Sequence, residues 1–382
     1  MTGLDGRRVY LDWNASAPLR PEAREAMLAA MDEAGNPSSV HAEGRAAKAI
    51  VERARAEVAA LVGCAPDEVV FTSGATESAA IAWHRGPFMP ECFSGSEIEH
   101  DAVRAHLGYV DWPLTTEGLI EPHDDAGNPI AWTVVDGDFS APVATGEIGT
   151  VQPVAEIVKQ VRTRSAPGVF FTDATQAVGK IEVDLRSLDV DFAAASAHKI
   201  GGSKGVGALL VKSGRSLEAT FAKGGGQESG RRAGTENVIG IAGFGAAAAA
   251  AKRDLEAGVW ARVENLRNIL DYTLEAAAPD LIIFGKDAPR LPNTTCFAVP
   301  GWKGETQVMA MDLAGFAVSA GSACSSGKVN RASRVLLAMG FDETTASSAI
   351  RVSIGPTTTE AEVTAFADAW IAAYRRRKAK AA

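Results

Sequence analysis

The segment DVDFAAASAHKIGGSKGVGALLVK, residues 189–212, decides the fold class of this chain. It contains two short apolar runs, and a histidine, a lysine and several glycines lie between them. Such runs are typical of buried strands. Similar strand candidates precede it at residues 68–72, 131–135 and 168–173, and helical patterns at residues 73–83 and 153–163 separate these candidates. Strands that alternate with helices predict parallel pairing through crossover helices, so we predict an α/β fold.

Both ends of the chain differ from this middle part. Residues 21–34 and 44–62 have helical patterns; the first begins with proline and the second is followed by Gly63, a residue that suits a helix end. From about residue 258 a long amphipathic helix, residues 259–279, precedes shorter strand candidates. This change predicts a smaller second domain that begins near that helix.

Composition narrows the possible classes of protein. The chain has 382 residues, 46% of them hydrophobic and 22% charged, as in an ordinary globular protein, and a net charge of −9. This charge does not favour a nucleic-acid partner, and no apolar run is long enough to predict a membrane span. The amino terminus lacks the apolar run of a signal peptide. Cys64, Cys92, Cys296 and Cys324 show neither disulfide-rich nor zinc-like spacing. We therefore expect a reducing cytoplasm and no metal.

Candidate chemistry lies where predicted strands end, because ligands of such sheets bind at the carboxyl ends of the strands. SGATES, residues 73–78, could present backbone N–H groups and the Thr76 hydroxyl to an anion, or could be a helix cap without a ligand. Asp173 follows a strand and precedes Gln176 by three residues. Its carboxylate either pairs with a cationic partner or caps the next helix.

The SAHK motif ends another strand. Lys199 could form a Schiff base with an aldehyde if it is partly buried, and Ser196 and His198 could face a phosphate. The alternative is a surface lysine on a turn.

Two further stretches carry weaker signals. His100, in SEIEHDAV, offers a flat ring, although a solvated loop histidine is equally compatible with this stretch. Residues 224–237 combine glycines with Arg231, Arg232 and Thr235, which suits a phosphate or a flexible loop. A lysine for an aldehyde, an anion cradle, a carboxylate for a pyridinium nitrogen and a stacking ring together match the requirements of pyridoxal phosphate.

The order and wording of the motifs resemble the cysteine desulfurases, within the class V aminotransferase group of pyridoxal-phosphate enzymes. The matching segments are YLDWNASAPLRPEAREAM, GNPSSVHAEGR, FTSGATES, EIGTVQP, TDATQAVGK, SAHKIGGSKGVGALLV, GGGQESGRRAGTENV, SAGSACSSG and RVSIGPTTTE. They run in family order from residue 10 to residue 360. The resemblance therefore covers most of the chain.

The resemblance implies a fold and its division into domains. The expected fold is type I of the pyridoxal-phosphate enzymes, with a mainly parallel seven-stranded sheet flanked by helices and a smaller α+β domain. We predict that residues 16–257 form the large, cofactor-binding domain. Residues 1–15 and 258–382 are predicted to form the small domain, which carries the cysteine motif.

The resemblance also implies the roles of individual residues. Lys199 is similar to the Schiff-base lysine, Asp173 to the partner of the pyridine nitrogen, Gln176 to the partner of the ring hydroxyl, and His100 to the stacking ring. The phosphate-binding or other cofactor-binding positions are expected at Ala75, Thr76, Ser196 and His198, with Thr235 reaching a phosphate across a dimer interface. Arg351 and Asn14 match substrate-binding positions.

Cys324 matches the nucleophile of the family. The implied reaction converts L-cysteine to L-alanine and leaves the sulfur on Cys324 as a persulfide. A homodimer is implied, with a sulfur acceptor or an iron–sulfur scaffold protein as partner. The alternatives are a selenocysteine lyase or other pyridoxal-phosphate lyase on the same fold, or a weakly active sulfur-carrying scaffold.

Some positions depart from the family pattern. Thr145 and Gly146 stand where the family usually has two asparagines, the second of which contacts the cofactor hydroxyl. Gly146 offers no such contact, so Gln176 or water must compensate. Trp13 and Pro356 also replace an asparagine and an arginine that are common in the family. These changes lie around the predicted cofactor and leave the predicted chemical residues in place.

Overall fold

A computed structural model of the chain describes residues 3–4, 6–84, 93–110, 112–121, 137–163, 168–215, 217, 223–321 and 332–381. The α-helices of these residues are α1 (Pro21–Met31), α2 (Ala42–Val62), α3 (Ala75–Trp83), α4 (Asp101–Arg104), α5 (Val154–Arg162), α6 (Leu185–Leu188), α7 (Val238–Glu256), α8 (Val259–Ala277), α9 (Gly304–Leu313), α10 (Arg334–Ala338), α11 (Glu343–Ala346) and α12 (Glu360–Ala381). The strands are β1 (Val9–Tyr10), β2 (Val69–Thr72), β3 (Phe93–Ser94), β4 (Asp138–Ser140), β5 (Phe170–Asp173), β6 (Phe192–Ser196), β7 (Gly207–Val211), β8 (Ile282–Ile283), β9 (Thr294–Ala298), β10 (Phe316–Ala317), β11 (Ser319–Ala320) and β12 (Ala349–Ser353).

The largest sheet has the strand order β2-β7-β6-β5-β4-β3 in the described residues. Strands β3 to β6 pair in parallel, as predicted for an α/β fold. The resemblance implies seven strands for this sheet, and the described residues contain six. Two of these six, β3 and β4, are not among the strand candidates of the sequence. The strand candidate at residues 131–135 lies outside the described residues.

Strand β7 differs from the predicted parallel pairing, because it runs antiparallel to both β6 and β2. A parallel return to the sheet needs a crossover of a dozen or more residues. Between β6 and β7 lie only residues 197–206, which contain a short 3₁₀ turn, Ala197–Lys199. The glycines of the opening segment therefore reverse the chain, and this reversal leaves Lys199 at the end of β6.

The amino-terminal helices follow their sequence signals closely. Helix α2 ends at Val62, where Gly63 adopts the left-handed conformation, with φ of 68°. Its first turn is capped by His41, whose ring accepts a hydrogen bond from the backbone N–H of Gly44. Helix α1 ends at Met31, three residues earlier than the pattern predicts, because the sequence that follows leads into glycine and proline.

A second sheet has the order β11-β12-β9-β8, with antiparallel pairing throughout. Nearby, β1 and β10 form a parallel pair. Residues from both ends of the chain share one hydrophobic cluster here, in which Val9 and Leu11 pack with Trp260, Phe297 and Trp370. This arrangement agrees with a small unit that contains both termini, and the domain boundaries at residues 15 and 257 stay a prediction.

The main core lies between the large sheet and its helices. It includes Phe71, Phe139, Phe170 and Phe244, all nearly inaccessible to solvent. Burial of large aromatic side chains of this kind contributes much of the stability of a domain. No helix in the described part of the chain combines the length and the hydropathy that a membrane crossing requires.

Candidate active site

A cavity of about 700 Å³ lies at the carboxyl ends of the parallel strands of the large sheet. Asp173 ends β5 and Ser196 ends β6, and both residues line this cavity. The predicted site residues that line it are Asn14, Ala75, Thr76, His100, Asp173, Gln176, Ser196, His198, Lys199 and Arg351. Residues that are far apart in the sequence therefore share one site.

The amine of Lys199 is held by backbone carbonyl groups. Its Nζ donates hydrogen bonds to the carbonyl oxygens of Asn14, at 2.6 Å, and of Ala15, at 3.1 Å. The Asn14 side chain is itself buried, and its amide donates to Thr294 at 2.8 Å. The segment before α1 therefore sets the position of the predicted reactive lysine.

Asp173 and Glu99 place two carboxyl groups on one wall of the cavity. Asp173 accepts a hydrogen bond from the backbone N–H of Thr175 at 2.9 Å. Glu99 is 1% exposed and accepts a hydrogen bond from the hydroxyl of Ser140. Burial raises the pKa of Glu99 to about 8, and the negative charge of Asp173 contributes in the same direction. Glu99 therefore retains its proton at neutral pH and adds little negative charge to this wall.

His100 begins α4, and its Nδ1 accepts a hydrogen bond from the backbone N–H of Ala102 at 3.1 Å. Arg334 supports the residues on either side of it. It donates to the carbonyl oxygen of Glu99 at 2.9 Å and to the carboxylate of Asp101 at 3.0 Å. The ring of His100 is therefore fixed by its own helix cap and by an arginine from a distant part of the chain.

Several cationic groups also lie at or near the cavity. Burial lowers the pKa of His198 to about 4, and the charges of Lys199, Lys204 and Lys180 lower it further. His198 is therefore neutral at pH 7, and its Nδ1 lies 3.3 Å from the hydroxyl of Ser16. The resulting positive potential favours an anionic ligand.

The start of α3 offers backbone N–H groups to such an anion. Gly74 precedes the helix, and Ala75 and Thr76 are its first residues. Strand β7 approaches this turn so closely that a Cβ on Gly207 would lie 2.6 Å from the Cα of Gly74. Only a glycine fits at position 207, and the approach places the helix start against the sheet.

Arg351 lies on β12 and is 3% exposed. One terminal nitrogen donates to the carbonyl oxygen of Gly146 at 2.8 Å, and the other donates to the carboxylate of Asp12 at 2.9 Å. These contacts fix the guanidinium at the cavity.

Nearby, Glu147 is buried and accepts a hydrogen bond from the hydroxyl of Ser333, and burial raises its pKa to about 7.

Among the described site residues, Thr235 is not one of those that line the cavity. Thr235 is exposed on the loop before α7. Its predicted role concerns the cofactor of a second subunit, and that role stays a prediction. Cys324 lies outside the described residues, as does Cys92.

Several residues of this site are not among those predicted from the sequence. They surround the predicted residues and are Lys180, Glu99, Glu147 and Arg334. Lys180 and Glu147 stand inside motifs that carry the resemblance, and Glu99 immediately precedes His100. A place inside or directly beside a motif is therefore the sequence signal that could have identified these three residues. Arg334 had none, because its partners lie more than 200 residues away in the sequence.

The residues present fit pyridoxal phosphate. The cavity holds a lysine amine for the aldehyde, a carboxylate for the pyridine nitrogen and a helix amino terminus for the phosphate. Thr175 also lines it, and its buried hydroxyl has no hydrogen-bond partner among the described residues. An unpartnered buried hydroxyl indicates that a ligand atom completes the site.

Comparison with known proteins agrees with this geometry. The model of the class V aminotransferase family matches residues 9–107 and 139–366. A cysteine desulfurase of Cereibacter sphaeroides is 39% identical over 373 residues, which cover 93% of each chain. The cysteine desulfurase IscS of Dictyoglomus turgidum is 36% identical over 371 residues, 94% of this chain and 92% of that protein. The structure of a NifS-like protein from Rickettsia africae has a TM-score of 0.85 and 30% identity, and the match covers 97% of this chain and 100% of that one.

The fold and the site thus define a pyridoxal-phosphate-dependent enzyme. The chain belongs to the class V aminotransferase family. The predicted family, fold class and cofactor are confirmed. The relatives also support the predicted cysteine desulfurase function over the alternatives of a lyase or a scaffold.

Proposed function

We propose that this protein is a cysteine desulfurase that releases L-alanine from L-cysteine and transfers the sulfur to Cys324. The observation that carries the proposal is a single cavity that gathers the amine of Lys199, the carboxylate of Asp173 and the guanidinium of Arg351. The relatives named above carry the same activity in their names.

Several residues would hold the cofactor. Lys199 would bind it covalently, Asp173 would face its pyridine nitrogen, His100 would stack on its ring, and the start of α3 with Ser196 and His198 would bind its phosphate. Pyridoxal phosphate, when bound, supplies an electron sink for bond cleavage at the carbons of an amino acid. The protein contributes the position and the protonation state of each group around that sink.

Lys199 has a second task once the substrate is bound. Its amine lies 2.6 Å from the carbonyl oxygen of Asn14, which keeps it at the end of β6. From this position it would take the α-proton of the substrate and return a proton to the product. The carbonyl groups of Asn14 and Ala15 orient the amine without adding a charge.

Arg351 would bind the carboxylate of the substrate. A guanidinium is suited to this task because its planar donors match the two oxygens of a carboxylate. Asp12 and the Gly146 carbonyl hold Arg351 in place before substrate arrives. Prior orientation reduces the entropy that binding must offset.

Cys324 would complete the reaction as a nucleophile. Its thiolate attacks the sulfur of the substrate, and a sulfur–sulfur bond forms while the carbon–sulfur bond breaks. The electron pair of the broken bond stays with the carbon fragment, which leaves as alanine after protonation. One cysteine and one enzyme thiol thus give one alanine and one enzyme persulfide, with no external oxidant.

We also propose the setting in which this reaction occurs. The sulfur passes from Cys324 to an acceptor protein such as an iron–sulfur scaffold, and the enzyme works as a homodimer in the cytoplasm. The small number of cysteines supports a reducing compartment. The net charge of −9 argues against a nucleic-acid partner.

The test combines three measurements on the cofactor-loaded protein. Addition of L-cysteine should change the visible absorption spectrum, release alanine, and leave one extra sulfur on the peptide that contains Cys324, detected by mass spectrometry. Cys324→Ala should abolish alanine release from L-cysteine and keep the cofactor spectrum.

Two other thiols serve as internal controls. Burial raises the pKa of Cys64 to about 12, and Cys296 is 0% exposed, so neither should gain sulfur. Alanine release from L-cysteine by Cys324→Ala, or a persulfide on another cysteine alone, would disprove the proposed role of Cys324.

A further inference from the structure

Lys180 is a buried lysine beside the cavity, and the roles assigned above do not include it. It is 3% exposed, and its Nζ donates to the side-chain oxygen of Gln176 at 2.7 Å and to the side-chain oxygen of Asn14 at 2.9 Å. Both acceptors are neutral amides. Burial lowers its pKa well below the usual value, and the positive charges of Lys199 and Arg351 lower it further. Burial of an amine among neutral acceptors is energetically unfavourable, which indicates that this amine has a specific function.

These hydrogen bonds determine which way two amide groups face. Because the oxygen of Gln176 accepts from Lys180, its NH₂ group is left to donate, and it does so to the carbonyl oxygen of Asn14 at 3.0 Å. The same carbonyl oxygen accepts from Lys199 at 2.6 Å. Lys180 is thus connected to the predicted reactive lysine through one glutamine and one carbonyl group.

Gly146 offers no side chain that could hold the amide of Gln176. A Cβ on residue 146 would lie 3.2 Å from the amide nitrogen of Gln176 and 3.3 Å from its Cγ. Gln176 thus packs against bare backbone here, with no side chain from position 146 to hold its amide. Lys180 holds the other end of this amide, because its Nζ donates to the side-chain oxygen of Gln176.

We propose that Lys180 is a positioning residue of the active site, which fixes the amides of Gln176 and Asn14 and through them the amine of Lys199. This inference rests on the proposed function, because it takes the role of Lys199 from there, together with the contact to the ring hydroxyl that the resemblance implies for Gln176. Lys180 itself touches neither the substrate nor the cofactor in this proposal. It acts on the cofactor site only through its two amide partners.

The experiment is a double-mutant cycle on the affinity of the apoprotein for pyridoxal phosphate. Lys180→Met, Gln176→Ala and the double variant are titrated with the cofactor, and the absorption maximum of each loaded protein is recorded. Each single variant should weaken binding about ten-fold, because each removes the hydrogen bond between Lys180 and Gln176. The double variant should also be weakened about ten-fold, since both changes remove the same arrangement. A weakening of about a hundred-fold would mean independent effects and would overturn the proposal.

Lys204→Met is the matched control. Lys204 also places a positive charge at the cavity, but its described contacts do not include Gln176. Its effect on cofactor affinity should add to that of Gln176→Ala. If Lys204→Met showed the same non-additive behaviour, the coupling would be one of general charge and the positioning role would be wrong.

A conservative variant keeps the test open if Lys180→Met does not fold. Lys180→Gln retains a donor, and its apoprotein should bind the cofactor within about three-fold of the wild type, with an unchanged absorption maximum. A ten-fold loss in this folded variant would contradict the proposal. Because all readouts are affinities and spectra, a protein that binds cofactor but releases no alanine would refute the proposed function and leave this inference intact.

Discussion

Lys199 donates a 2.6 Å hydrogen bond to the carbonyl oxygen of Asn14, a residue 185 positions earlier in the chain. The predicted reactive amine is thus positioned by the amino-terminal segment rather than by its own strand. The contact also explains why the motif around Asn14 and the motif around Lys199 belong to one site.

Lys199→Ala removes the amine proposed to bind the cofactor aldehyde. The purified variant should lack the visible absorption of lysine-bound cofactor and release no alanine, while it keeps the melting temperature of the wild-type apoprotein. Lys212→Ala is the matched control, since Lys212 lies just after β7 and pairs with Asp189 at the surface. Visible absorption in Lys199→Ala that survives dialysis and denaturation would show that another lysine carries the cofactor.

Asp173→Asn removes the charge of the carboxylate proposed to face the pyridine nitrogen and keeps the size of the side chain. The variant should still bind the cofactor, because Lys199 and the start of α3 are unchanged. Its rate of alanine release should fall by about 10² to 10³, the usual effect of losing one preorganised electrostatic contact. Steady-state kinetics measure this. Asp312→Asn on the surface of α9 should keep the wild-type rate. An equal loss of rate in that variant would contradict the role assigned to Asp173.

Glu99 should make the stability of the apoprotein depend on pH. Its pKa is about 8 in the folded state, above its usual value of 4.5, so the folded state holds a proton that the unfolded state releases. Between these values stability should therefore fall as pH rises, by at most about 1.4 kcal/mol per pH unit from this group. Glu99→Gln should flatten this slope in urea unfolding between pH 5 and pH 8. Glu25→Gln, at an exposed position on α1, should leave the slope unchanged, and an unchanged slope in Glu99→Gln would contradict the assignment.

Arg55 and Glu228 form a buried ion pair that supports the glycine-rich loop at residues 224–237. Two hydrogen bonds of 2.8 Å join the two side chains, and Glu228 also accepts from the backbone N–H of Phe71 at 2.8 Å. Arg55→Met leaves a buried carboxylate without its partner, so the free energy of unfolding should fall by about 3–5 kcal/mol. Arg8→Met breaks the exposed pair with Asp312 and should cost less than about 1 kcal/mol. Equal losses in the two variants would contradict this difference.

Much of the fold could be predicted from local pattern. The strands β2, β5, β6 and β7 and the helices α2, α5 and α8 lie where apolar periodicity and helix-ending residues place them. The reversed direction of β7 was missed, since strand direction depends on the length of the connection and not on the strand's own residues. Which strands lie next to each other likewise depends on the whole sheet and cannot be read from the residues of one strand.

The candidate site divides in a similar way. The residue types and their order can be read directly from the chain: an SAHK motif, an aspartate after a strand and an arginine in RVSIGPTTTE. Which of them share a cavity depends on the folded structure, which also brings Lys180, Glu99 and Arg334 to the predicted set. The physical reason is that burial and charge at a site come from neighbours far away in sequence. Nothing in the sequence around Lys180 distinguishes it from other lysines. Its burial and its hydrogen bonds to Asn14 and Gln176 exist only in the folded protein.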